Sequence, residues 1–180
     1  MQKDYDVTIN WRGFELHPEI PVDGMKVEEY FPKDRIKGMH EYLSKFAKQF
    51  GVDITFTDHM PNTRKALAMA EYAREQGVLE SFKTGAMLAY WNKGADLEDE
   101  AVLSSVAINA GLAPDKALEA SEESEYLQRI DTVRTEANGR GVTGIPTMVM
   151  GGEKVVGCQS YEAIVAAGKR AGIQEIDRKK

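Results

Sequence analysis

Cysteine is the scarcest chemically reactive residue in this chain: 180 residues contain one, Cys158. A single thiol excludes any intramolecular disulfide and any cage of cysteine thiolates around zinc. Long apolar runs are missing too. No stretch approaches the roughly 20 consecutive apolar residues that a membrane-spanning helix needs. The opening Met1-Gln2-Lys3-Asp4-Tyr5-Asp6 lacks the basic-then-apolar order of a secretory signal. Positive charge is in deficit, with 23 Lys and Arg against 29 Asp and Glu and a net charge of −6. The basic residues are scattered, whereas a nucleic-acid surface needs a basic stripe to neutralise phosphates. There is no internal repeat, no low-complexity segment and no linker that divides the chain. These absences describe a cytoplasmic protein with neither a membrane nor a nucleic-acid partner.

What remains is ordinary globular material. Hydrophobic residues make up 42% and charged residues 29% of the chain, the balance of a chain that builds a core. A single domain over residues 1–180 buries roughly 70% of its unfolded surface and needs no covalent staple. Tyr5, Val7, Ile9 and Trp11 alternate with polar residues, which predicts a half-buried strand. Phe14 and Leu16 switch parity after Gly13, which predicts a bulge near Arg12-Gly13. His17 to Pro32, with three prolines, reads as a long loop.

From Asp34 the period becomes helical. Ile36, Met39, Leu43, Phe46 and Phe50 recur at spacings of three and four, and Gly51 follows as a stop. Asn62 is a natural N-cap for a helix over Thr63–Gln76. Further helical stripes begin at Leu79, Asp99, Pro114 and Leu127. Thr147–Met150 and Lys154–Val156 are β-prone runs separated by Gly151-Gly152, a hairpin signal. A last helix spans Tyr161–Ala171. The order of strand, helices, hairpin and helix predicts an α/β layer carrying an all-helical insertion at about residues 58–138.

Few residues carry obvious chemistry. His17, His40 and His59 sit on different elements with no ligand spacing among them, so no metal ligands are assigned. Cys158 reads as a buried, inert thiol. Asn62 reads as a helix cap. The Glu- and Lys-rich helix faces read as solvated surface.

The run Gly141-Val142-Thr143-Gly144-Ile145-Pro146-Thr147-Met148-Val149-Met150-Gly151-Gly152 resembles the segment before the third strand of DsbA-type thioredoxin folds. Three other stretches agree with that resemblance in order: Ile9-Asn10-Trp11-Arg12-Gly13-Phe14-Glu15-Leu16-His17-Pro18, Asn62-Thr63-Arg64-Lys65-Ala66 and Gly157-Cys158-Gln159-Ser160-Tyr161-Glu162. Within the family the chain is most similar to the FrnE-like branch, related to 2-hydroxychromene-2-carboxylate isomerases and kappa-class glutathione transferases.

The resemblance implies a thioredoxin-like fold, a cis bond at Ile145-Pro146, and a substrate-binding loop at Gly144, Ile145 and Pro146. It implies thiol–disulfide exchange as the activity, with a thiol- or disulfide-bearing peptide as partner. The isomerase and transferase relatives imply a second possibility, in which Asn62 helps to hold glutathione. One departure stands out. Family members open with a strand, turn and helix of about 25 residues that carry Cys-x-x-Cys; the chain instead begins at what resembles the second strand. It is therefore expected to lack the first βα unit, to carry no catalytic residue, and to be inactive as this polypeptide. Without the first strand, Tyr5–Trp11 is expected either to close directly onto Thr147–Met150 or to recruit a second chain, most simply as a two-fold dimer.

Overall fold

The computed structural model describes residues 1–176, and the chain forms two compact units. Residues 17–132 make one, and residues 1–16 with those from 133 onward make the other. Among the described residues there are eight helices and two small antiparallel sheets.

The larger unit opens with a strand β1 (Met25–Lys26), a single helical turn α1 (Val27–Tyr30) and the helix α2 (Lys33–Lys48). A second strand, β2 (His59–Met60), pairs with β1, placing Met25 opposite Met60 and Lys26 opposite His59. The stretch from His17 to Pro32 is therefore more structured than its prolines suggest, because β2 offers β1 a ladder that no local sequence signal reveals. Four helices follow: α3 (Arg64–Glu75), α4 (Leu79–Lys93), α5 (Glu100–Asn109) and α6 (Pro114–Glu122). A fifth, α7 (Ser124–Gly139), runs on past residue 132.

Small residues make this packing possible. α3 turns Ala66, Ala68, Met69 and Ala73 inward, so neighbouring helices approach closely around Met69, Phe82 and Leu103, each at most 1% exposed. At Gly85 a Cβ would lie 3.3 Å from Val106 Cγ1, so α4 and α5 meet there with no spare room. α4 ends at Gly94, whose φ of +63° is the left-handed conformation that glycine adopts without strain. Asp99 caps α5 by accepting the Ala101 N–H, and Pro114 opens α6 at its first turn.

The smaller unit is built on a hairpin. β3 (Thr147–Met150) pairs with β4 (Glu153–Val156) across the Gly151-Gly152 turn, with Thr147 opposite Val156 and Met150 opposite Glu153. Helix α8 (Tyr161–Arg170) is capped by Ser160, and Arg170 donates twice to Glu153 on β4. At the amino terminus, the expected strand over Tyr5–Trp11 does not form. Only Tyr5 makes a bridge, antiparallel to Glu175, and it is the one residue of that alternating set that is buried. The Tyr5 hydroxyl donates to Glu175, which also takes Lys169 at 2.8 Å. Residues 6–15 run without regular structure, and the bulge expected at Arg12-Gly13 disappears with the strand. Alternation places apolar residues on one face, but a strand also needs a partner row of N–H and C=O groups. Around Tyr5 the Asp6 N–H donates to the Gln174 carbonyl and the Ile176 N–H to the Asp4 carbonyl, but among the described residues no strand ladder continues this pairing, and the expected direct closure onto Thr147–Met150 is not seen either.

Candidate functional site

The loop ahead of β3 is held from several directions. Two residues beyond α7, Gly141 takes φ +68°, and the Val142 N–H returns to the Ala137 carbonyl at 2.9 Å. Lys154 Nζ donates to the Gly141 carbonyl at 2.6 Å, tying the loop to β4. Thr147 Oγ1 donates to the Gly144 carbonyl at 2.6 Å, and the Gly157 N–H donates to the Pro146 carbonyl at 2.8 Å. The Ile145-Pro146 bond is cis. Fixed at both ends, the loop leaves the Ile145 side chain 51% exposed. β4 is the only strand paired with β3 among the described residues, so the opposite edge of β3 is open.

Cys158 follows directly after the Gly157 that is bonded to Pro146, and its residue is exposed. The expectation of a buried thiol is thus corrected. Cys158 lies in the turn between β4 and α8, after Gly157 at φ +77° and ahead of Ser160, which caps the next helix. No second cysteine exists in the sequence to pair with it.

Asn62 belongs to the other unit. The cap position of α3 is Thr63, not Asn62 as expected; Asn62 sits one residue ahead, where its Oδ1 accepts the Arg64 N–H at 2.9 Å in an Asx-type turn and its Nδ2 donates to the Ile20 carbonyl at 2.8 Å. One side chain thus leads into α3 and pins the 17–24 loop.

Immediately before Asn62 the fold assembles a cluster that spacing along the chain does not reveal. His59 Nε2 lies 3.4 Å from Asp96 Oδ2 and 3.4 Å from Glu98 Oε2. Asp96 and Glu98 come from the loop between α4 and α5, with Glu98 39 residues beyond His59. Their order is imposed locally. The Glu98 N–H donates to Asp96 Oδ1, leaving Oδ2 toward the imidazole, and Thr57 Oγ1 donates to the His59 carbonyl. Gly24, at φ +67°, lies against the ring so closely that a Cβ there would sit 2.4 Å from His59 Cε1. Burial pushes the Glu98 carboxyl up, while His59 and the Asn62 backbone N–H pull it down. Glu98 Oε1 is buried and has no hydrogen-bond partner. An open cleft of about 450 Å³ lies on neighbouring residues of the same unit, lined by Lys26, His40, Phe56, Thr57 and Asp58 among others. There the His40 imidazole stacks on Phe56 with centroids 3.9 Å apart.

A helical unit inserted between an amino-terminal segment and a cis-proline hairpin followed by a helix is the layout of a thioredoxin-like fold with a helical insertion. The family model for the DSBA-like thioredoxin domain matches residues 1–167, and the chain belongs to that family. It is 31% identical over 135 residues to a 2-hydroxychromene-2-carboxylate isomerase of Sphingobium xenophagum, which covers 72% of this chain and 69% of that protein. Among solved structures, one described as a "probable DsbA oxidoreductase" from Streptomyces coelicolor superposes with a TM-score of 0.77 at 20% identity, covering 89% of this chain and 74% of that one. A 2-hydroxychromene-2-carboxylate isomerase structure superposes with a TM-score of 0.63 at 20% identity, covering 92% of this chain and 80% of that one. At such identities the two structures establish the fold.

Proposed function

We propose that this chain is a DsbA-lineage protein that binds thiol- or disulfide-bearing peptides at its Gly144-Ile145-Pro146 loop, without turning over disulfides itself. The observation that carries this reading is the open edge of β3 beside an anchored loop with Ile145 exposed. An extended peptide can add to such an edge through main-chain hydrogen bonds, with Ile145 supplying an apolar contact. Thiol–disulfide exchange is the chemistry of the lineage, but it needs a second thiol to resolve the mixed disulfide. Cys158 has no such partner in this sequence. One thiol and no disulfide also suit a reducing compartment, the cytoplasm.

Insulin reduction with dithiothreitol tests the reading. The expected rate equals that of the Cys158→Ser variant, and turnover that disappears with that substitution would overturn it. A second reading is favoured by the isomerase relative and by Asn62. In it, glutathione binds near the start of α3 and assists an isomerisation. Titrating glutathione into ¹⁵N-labelled protein separates the two, because shifts at Asn62 and its neighbours belong to the second reading alone.

A further inference from the structure

We propose that His59, Asp96 and Glu98 form a binding site for one divalent transition-metal cation, of the borderline class that Zn²⁺ and Co²⁺ represent. Three ligand-capable atoms, one from each residue, lie within 4.8 Å of one another, and theirs is the cluster of this kind found among the described residues. The distances accommodate a shared cation, although His59 and Glu98 also meet as a long hydrogen bond. Hydrogen bonds from a ring N–H to a carboxylate shorten to about 2.7–2.9 Å when charged. Both His59 contacts are 3.4 Å, long for that purpose. Donors that share a tetrahedral cation at bond lengths of about 2.1 Å stand about 3.4 Å apart, which is the spacing seen for the imidazole and each carboxylate.

Charge and burial point the same way. Two carboxylates converge on one imidazole, and the Glu98 side chain is only 17% exposed. Its Oε2 is the oxygen that faces the imidazole, while Oε1 of the same carboxyl is buried without a hydrogen-bond partner, which ordinarily costs free energy. The donors are also oriented in advance. Asp96 Oδ1 is occupied by the Glu98 N–H, and Gly24 holds the imidazole edge where a larger residue would displace it. Such outer contacts set ligand geometry in metal sites. One imidazole nitrogen and two carboxylate oxygens suit zinc, cobalt and their neighbours, and are a poor set for soft thiophilic ions. Three protein donors leave at least one coordination position for water or an exchangeable ligand, and the Asp96 side chain, 44% exposed, lies on the solvent side.

The test is a titration of the full chain, stripped with chelator, with ZnCl₂ by calorimetry and with CoCl₂ by visible absorption. The expected result is one equivalent per chain, a Co²⁺ band in the range of four- or five-coordinate cobalt, and a metal-dependent rise in Tm. Glu98→Gln and Asp96→Asn keep the side-chain shape and remove an anionic donor; each is expected to weaken binding by at least about tenfold. His40→Gln, which alters a histidine outside the cluster, is expected to bind as wild type. Circular dichroism confirms that each variant folds, and Asp96→Asn, at the most exposed of the three, guards against a folding defect in Glu98→Gln. Absence of binding at millimolar metal would overturn the proposal. So would affinities unchanged in both carboxylate variants, since the metal would then lie elsewhere.

Discussion

Individual side chains in the larger unit do more than their type suggests. Tyr30 donates its hydroxyl to Glu19 and also lies 2.9 Å from His17 Nδ1, and the His17 and Tyr30 rings meet edge to face. The Tyr30 hydrogen bond, followed by Glu19's own backbone N–H, holds the Glu19 carboxyl below its usual value of 4.5, and the same hydrogen bond raises the Tyr30 phenol. A carboxyl whose folded pKa is depressed adds stability above its unfolded pKa and loses that stability as pH falls through the folded value. Tyr30→Phe is therefore expected to lower the urea midpoint at neutral pH. The difference from wild type should shrink as pH falls below about 4.5; a difference independent of pH would show that Glu19 is not involved. Asn62→Ala removes the acceptor of the Arg64 N–H ahead of α3 and strands the Ile20 carbonyl in a residue only 6% exposed. The expected cost is about 1–3 kcal/mol in chemical denaturation. A loss of this size without any change in ligand binding would assign Asn62 to structure alone.

At the scale of elements, stability is concentrated where α3, α4, α5 and α6 meet. Phe82, 1% exposed, packs in one cluster with Met69, Leu103 and Val106. Phe82→Ala leaves a cavity among rigidly packed helices and is expected to cost about 3–5 kcal/mol. On the same helix, Met87 is 55% exposed, and Met87→Gln is expected to stay within about 0.5 kcal/mol. Paired thermal melts of the two variants check both values. The hairpin of the smaller unit was legible because Gly151-Gly152 is a local turn signal, and the helices because their apolar spacing and glycine stops are local as well. β1 and β2 were not legible, being two residues each and existing only through their pairing across 34 residues of chain, from Met25 to Met60 by register. The amino-terminal stretch failed in the opposite direction. Its alternation was real, but alternation marks a face, and the missing ingredient was a partner strand.

At the scale of the molecule, the open edge of β3 and the exposed Ile9 and Trp11, 48% and 46% accessible, bear on assembly. Unpaired edges recruit strands and apolar patches recruit partners. The expected state is a two-fold dimer at micromolar concentration, and sedimentation velocity distinguishes it from a 20.0 kDa monomer. Val149→Lys places a charge on β3 at a residue 39% exposed, and it is expected to shift a dimer built on this edge toward monomer. A monomeric wild type would count against edge pairing.

The family, most of the helices, the hairpin and the cis bond at Ile145-Pro146 were readable in the sequence alone. All of these rest on signals carried within a few residues: periodicity, glycine stops, a turn dipeptide and a contiguous motif. The sequence also shows that a dithiol mechanism has no second thiol in this chain. The tertiary structure was needed to show that Tyr5 is buried and bridged to Glu175, that Cys158 is exposed, and that Asn62 ties two segments together. The same holds for His59 beside Asp96 and Glu98. Each of those residues is unremarkable in its own stretch, and the cluster exists because β2 and the loop before α5 are brought together by helices whose packing no local pattern encodes.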